Sequence, residues 1–191
     1  MSRNTIAAAA KVQGVGLHLG VPCTLTFKPT PSGAGLAFRR TDLPGQPAIP
    51  AHVDTAVLTE RRTQLGQDPV SVHTVEHVLA AVGALELDDL MMELDGPEPP
   101  IGDGSAKPFL EALLGAGIAR HSGAVQYLEL REPVRFADGD AVYEAHPSDS
   151  LELEVSIEFP HPTIGKQEGR YRISPESFSA ELAGARTFGF V

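Results

Sequence analysis

The sequence predicts an α+β fold, because short alternating apolar segments dominate both halves of the chain and each half then turns to helical spacing. The first such turn is at Val75, Val78, Leu79, Val82 and Leu85, which follow i, i+3, i+4, i+7 and i+10 spacing. The clearest strand is LELEVSIEF, where Leu151, Leu153, Val155, Ile157 and Phe159 alternate with Glu152, Glu154, Ser156 and Glu158; that pattern gives one dry face and one wet face. A chain of 191 residues can bury roughly 70% of its unfolded surface, so one or two domains with real cores are expected.

Taken in order, MSRNTIAAAAKVQG offers only Ile6 to Ala10 as an apolar run, too short for the core of a signal peptide. VPCTLTFKPT, GLAFRR and AIPAHVDTAVLTERRTQLG read as strands and turns. Cys23 alternates with Val21, Leu25 and Phe27 and reads as a small buried hydrophobe; as the single cysteine it excludes an internal disulfide and fits a reducing compartment. Thr74 is the expected N-cap of the first helix. LMMELDG, residues 90–96, reads as a strand, and DGPEPPIGDGSAK as a loop. A second helix is expected from Ser105 as N-cap through Phe109, Leu110, Leu113 and Leu114, to a stop at Gly115 or Gly117. ARHSGA, residues 119–124, reads as a domain boundary. VQYLELREPVRF, AVYEAHP and LELEVSIEF return to strands, HPTIGKQEGRYRISP to loop or strand, and SPESFSAELAGA is a helix opening at Ser174 with Pro175 first.

Composition excludes several function classes. With 42% hydrophobic and 21% charged residues the chain is neither disordered nor fibrous. The formal net charge is -10 and no basic cluster exceeds the pairs Arg39-Arg40 and Arg61-Arg62, which excludes nonspecific nucleic-acid binding. An anionic small substrate stays open, since a site needs only a few local cations. No run approaches the ~18 apolar residues of a membrane span, and a soluble cytoplasmic protein is expected.

His73-Thr74-Val75-Glu76-His77 spells H-x-x-E-H, which is also the motif of a class of zinc peptidases. That chemistry requires both histidines on one helix face. Here Pro69 and the alternation of GQDPVSV place His73 in a strand, with Glu76 and His77 in the first helical turn, where backbone N–H groups and the positive dipole end favour a carboxylate. Spacing alone leaves two readings. One is a dipole-favouring Glu with a locally bonded His; the other is a metal ligand, His77, beside a general base, Glu76, acting on one water.

Several collinear motifs decide between them: GVGLHLG at 14–20, FRRTDLP at 38–44, TERRTQLG at 59–66, HTVEHVLAAVGAL at 73–85, ELDGPEPPIGDGSAKPF at 93–109 and ARTFGF at 185–190. With these the whole chain resembles the UDP-3-O-acyl-N-acetylglucosamine deacetylases, zinc hydrolases that commit carbohydrate to lipid A synthesis in Gram-negative bacteria. The resemblance implies that His77 is the first of three protein zinc ligands. It implies that Glu76 is the general base, that the Thr187 hydroxyl stabilises the tetrahedral oxyanion, and that Phe188 and His18 face the substrate. Asp103 reads as structural, in ordinary turn and cap chemistry. Arg62 departs from the family, which often has a cysteine or small residue there; it either adds a cation near the site or alters only a surface loop.

The implied fold is two layered α+β sandwich domains with the active site between them, residues 1–122 forming the first and 123–191 the opening half of the second, so that Thr187 approaches from the second domain. In the family the other two zinc ligands come from an H-K-x-x-D segment after RTFGF, and the general-acid histidine comes later. Neither segment occurs in these 191 residues; His121, His146 and His161 are assigned to loops or strand ends. The resemblance implies Zn2+ as cofactor, UDP-3-O-acyl-N-acetylglucosamine as substrate, no membrane insertion and a monomer at full length. The chain as it stands is expected to be an inactive fragment that binds zinc weakly and exposes apolar surface. The alternative is a non-catalytic domain that holds a UDP-sugar or another protein.

Overall fold

A computed structural model describes residues 2–127 and 129–187. The fold is α+β. Its elements are β1 (Ser2–Ile6), β2 (Ala10–Val15), β3 (Pro22–Pro29), β4 (Leu36–Arg40), β5 (Ala48–Pro50), β6 (Ala56–Val57), β7 (Gln64–Gln67), β8 (Val70–His73), α1 (Glu76–Ala84), β9 (Leu90–Leu94), α2 (Lys107–Ala116) and β10 (Ile118–Ala124). There follow β11 (Val134–Asp138), β12 (Ala141–Ala145), β13 (Glu152–Glu158), β14 (Lys166–Arg172) and the short α3 (Pro175–Ser177), continued by a π-helical turn over Phe178–Leu182. Two compact units result: Met1–Val125 with Phe178–Val191, and Gln126–Ser177.

In the first unit a five-stranded sheet runs in the order β2-β3-β9-β4-β5, antiparallel except for the β4–β9 pair. Alternation sends Cys23, Leu25 and Phe27 of β3 and Leu90, Met92 and Leu94 of β9 inward, and Phe27 and Phe38 both lie opposite Met92. This dry face forms one core with Val78 and Val82 of α1 and Phe109, Leu110 and Leu113 of α2. Burial pushes the Cys23 thiol up to about 11, in keeping with a packing role. Gly117 stops α2 at φ 72, a conformation that favours glycine, and its N–H returns to Leu114 O.

Three local expectations are corrected. Thr74 is not the cap of α1: the helix begins at Glu76, its N-cap position is Val75 with no side-chain cap bond, and the Thr74 hydroxyl is used elsewhere. Ser105 likewise sits one residue outside the N-cap, which is Ala106, although its Oγ still accepts from Lys107 N at 3.2 Å. ARHSGA is not a linker but part of β10, antiparallel to β1, and His121 lies inside that strand with Nε2 3.0 Å from Thr30 O. Pairing with a strand more than 100 residues away, from Asn4↔Arg120 to Ile6↔Ile118, overrides the turn-rich composition.

The second unit contains two antiparallel hairpins, β11–β12 and β13–β14, the latter in register from Glu152↔Arg172 to Glu158↔Lys166. LELEVSIEF is a strand as expected. Leu153, Val155 and Ile157, on its apolar side, are nevertheless 41%, 47% and 36% exposed. Ser174 opens α3, its Oγ accepting from Ser177 N at 3.2 Å, with Pro175 as the first helical residue.

Candidate functional site

The strand-to-helix corner from β8 to α1 carries the H-x-x-E-H letters. His73 ends β8 and is buried, three residues before the helix begins, so His73 and His77 share no helix face and the peptidase geometry is absent. The chain turns through Thr74 at φ 54, left-handed backbone that a β-branched residue rarely adopts. Glu76 and His77 then occupy the first turn of α1, both half-buried. The Thr63 amide donates to Glu76 Oε2 at 3.1 Å, which fixes the carboxylate relative to the loop before β7.

A loop over residues 95–106 grips this corner from the other side. His73 N donates to Pro97 O at 2.8 Å, and Thr74 Oγ1 donates to Glu98 Oε1 at 2.7 Å. Glu98 is 2% exposed. It also accepts from the amides of His18 and Leu19, each at 3.1 Å, while the His18 side chain itself is exposed. Burial works against the charge on Glu98, but the Thr74 hydroxyl and the two amides outweigh it and hold its pKa below the usual glutamate value. Glu98 was assigned no role from sequence, although it lies in the quoted ELDGPEPPIGDGSAKPF.

Gly16 lets the loop before His18 close over this carboxylate: a Cβ there would come 2.5 Å from Glu98 Oε2. Gly16→Ala is therefore expected to displace the loop and cost about 1–3 kcal/mol of stability, as overpacking does. Urea unfolding measures it, and an unchanged midpoint would contradict the close approach.

Thr187 belongs to the same compact unit as Glu76 and His77, and its amide donates to Gly104 O at 3.0 Å, on the loop that also carries Pro97 and Glu98. Phe188 lies outside the described residues. Asp103 accepts from Ser105 N at 3.1 Å and Ser105 Oγ at 2.6 Å, the turn role expected of it, and Arg186 approaches it at 4.0 Å. Arg62 is more than loop decoration. Burial first, then the Arg62 charge, lowers the His73 pKa from its ordinary value, while Asp68 and Glu98 act the other way. His73 Nε2 meets Ser71 Oγ at 3.2 Å, and Ser71 Oγ donates to Asp68.

The comparisons with known proteins agree along the whole chain. Residues 3–191 match the model of the family described as UDP-3-O-acyl N-acetylglycosamine deacetylase (LpxC). A UDP-3-O-acyl-N-acetylglucosamine deacetylase of Bdellovibrio bacteriovorus is 46% identical over 189 residues, covering 99% of this chain and 63% of the relative. Proteins of the same name from Myxococcus xanthus and Thermosynechococcus vestitus are 40% and 39% identical over 190 and 189 residues, covering 100% and 99% of this chain and 60% and 66% of the relatives. The chain belongs to the UDP-3-O-acyl-N-acetylglycosamine deacetylase family. It spans less than two thirds of the length of these three relatives.

Proposed function

We propose that the protein hydrolyses the N-acetyl group of UDP-3-O-acyl-N-acetylglucosamine, in the cytoplasm, as a zinc-dependent step of lipid A synthesis. The observation that carries this reading is the placement of Glu76 and His77 in one helical turn, with Glu76 held by Thr63 N at 3.1 Å. Glu76, anchored through one oxygen, takes a proton from the water that attacks the acetyl carbonyl. The Thr187 hydroxyl donates to the oxygen that becomes negative in the tetrahedral intermediate. Phe188 and the exposed His18 are assigned to binding the sugar nucleotide. As the intermediate collapses the C–N bond breaks, the leaving nitrogen takes up the proton that Glu76 removed from the water, and acetate and the free amine are released. No helix among the described residues is long and apolar enough to cross a membrane.

Zinc is the cofactor this reading implies, and the described residues do not by themselves fit it. A catalytic zinc takes three protein ligands and a water, whereas no group of three His, Cys, Asp or Glu that could hold a metal lies among the described residues. His77 is assigned as one ligand of such a set. The isolated 191 residues are accordingly expected to hold zinc weakly and to turn over no substrate.

Metal analysis on the protein at the full length its gene encodes tests the ligand. Wild type is expected to retain about one zinc per chain, on the three-ligand rule, His77→Ala to lose it, and Glu76→Ala to keep it. Equal zinc in the His77 variant and wild type would remove the assignment. Retained binding of the sugar nucleotide without hydrolysis would favour the non-catalytic reading instead.

A further inference from the structure

Among the buried charged residues Glu98 is the odd one. Arg40 is paired with Asp42 at 2.7 Å and Asp89 with Arg3 at 2.8 Å, but no ion pair among the described residues includes Glu98. Burying a carboxylate outside an ion pair is costly, and here three hydrogen-bond donors from two distant segments offset that cost. Oε1 accepts from Thr74 Oγ1 and His18 N, and Oε2 from His18 N and Leu19 N. Two of these donors are backbone amides that can only donate, so an apolar side chain of similar size, which offers no acceptor, would leave both unpaired.

Each partner stands beside a residue of the candidate site. Thr74, two residues before Glu76, is the left-handed hinge that swings β8 into α1, and its hydroxyl bond to Glu98 secures a backbone conformation that by itself costs about 1–3 kcal/mol. The other two donors are the amide of His18 and its neighbour Leu19. Gly16 leaves the room the carboxylate needs.

We infer that Glu98 is a positioning residue: one buried carboxylate sets the first turn of α1, with Glu76 and His77, relative to the loop that presents His18. This rests on the deacetylase reading for its catalytic consequence, but the clamp itself is a property of the fold. It acts through Thr74 and the 16–19 loop and touches no substrate.

The test has two arms. In the full-length protein, Glu98→Leu, which removes both acceptors, is expected to lower kcat about 10- to 100-fold, as loss of a supporting residue behind a catalytic group does, with a smaller change in KM. Thr74→Val should lower it by less, since the bonds from His18 and Leu19 stay, and Thr74→Ser, which keeps the hydroxyl, should stay near wild type. The Glu98→Leu/Thr74→Val double variant should be no worse than Glu98→Leu alone, since the Thr74 bond is already lost there. A wild-type kcat in Glu98→Leu, or losses that multiply in the double variant, would overturn the inference.

The second arm needs no activity. In the 191-residue chain, Glu98→Leu should speed hydrogen exchange at the amides of His18, Leu19, Val75 and Leu79, while Phe27 and Met92 in the central sheet keep their protection. Unchanged exchange at the first four, or equal loss at all six, would overturn the clamp. Faster exchange at those four amides, together with a wild-type protein inert on the sugar nucleotide, would support the clamp and sink the deacetylase reading.

Discussion

Glu76→Ala is expected to lower kcat for deacetylation by about 10²- to 10⁴-fold, the usual contribution of a general base, with zinc content and the fold intact. The fold should survive because Glu76 is half-buried on the first turn, while the helix is held by the buried Val78, Ala81, Val82 and Ala84. What is lost is the proposed proton acceptor and its tie to Thr63 N. Glu76→Gln separates the two, since a glutamine side-chain oxygen can still accept from Thr63 N but cannot take a proton. Both variants should therefore be comparably slow. Activity in Glu76→Gln close to wild type would show that the carboxylate orients the loop and does not act as base.

Asp89→Ala is expected to be the most damaging single change to stability away from the apolar core. Asp89 is fully buried, receives Arg3 Nε and Nη2 at 2.8 Å each and Gly35 N at 2.8 Å, and so ties β1, the start of β9 and the turn before β4 together. Breaking a buried pair costs about 3–5 kcal/mol, and the low end applies because Arg3 still reaches water. At 2–4 °C per kcal/mol, this amounts to a melting temperature lower by roughly 10 °C. The Arg3 guanidinium, with Gly35 N, holds the Asp89 carboxyl well below the usual 3.8, at about 2. The folded pKa is depressed, so the stabilisation is complete above pH ~4 and is lost as pH falls from about 4 toward about 2. Wild type and Asp89→Asn should converge in stability over that window, and a constant gap down to pH 2 would contradict the linkage.

What the sequence could reveal was set by the range of the interactions involved. The α+β class and the start of α1 within one residue were legible because Val75, Val78, Leu79 and Val82 carry helical spacing locally, and Pro69 with the alternating residues before His73 marks a strand. The mistaken cap at Thr74 has a plain cause. A threonine before an apolar helical run is normally a cap, but here its hydroxyl is taken by Glu98, 24 residues further on, and no local rule can see that bond. Glu98 itself stayed hidden because its partners His18 and Leu19 lie 80 and 79 residues before it. β10 was read as a boundary for the same reason: its residues are turn formers until β1 pairs with them. Of the candidate site, Glu76, His77 and Thr187 lie in one compact unit, and the loop that carries Pro97, Glu98 and Gly104 reaches His73, Thr74 and Thr187 through bonds between residues far apart in sequence.

The central claim is that this chain carries the base and one ligand of a sugar-nucleotide deacetylase, and acetate release tests it most directly. The full-length protein, supplied with zinc and UDP-3-O-acyl-N-acetylglucosamine, should release one acetate for each free amine formed, and the rate should fall by about 10²-fold or more in Glu76→Ala. No acetate from the zinc-loaded wild-type protein, or the same rate from the Glu76→Ala variant, would contradict it.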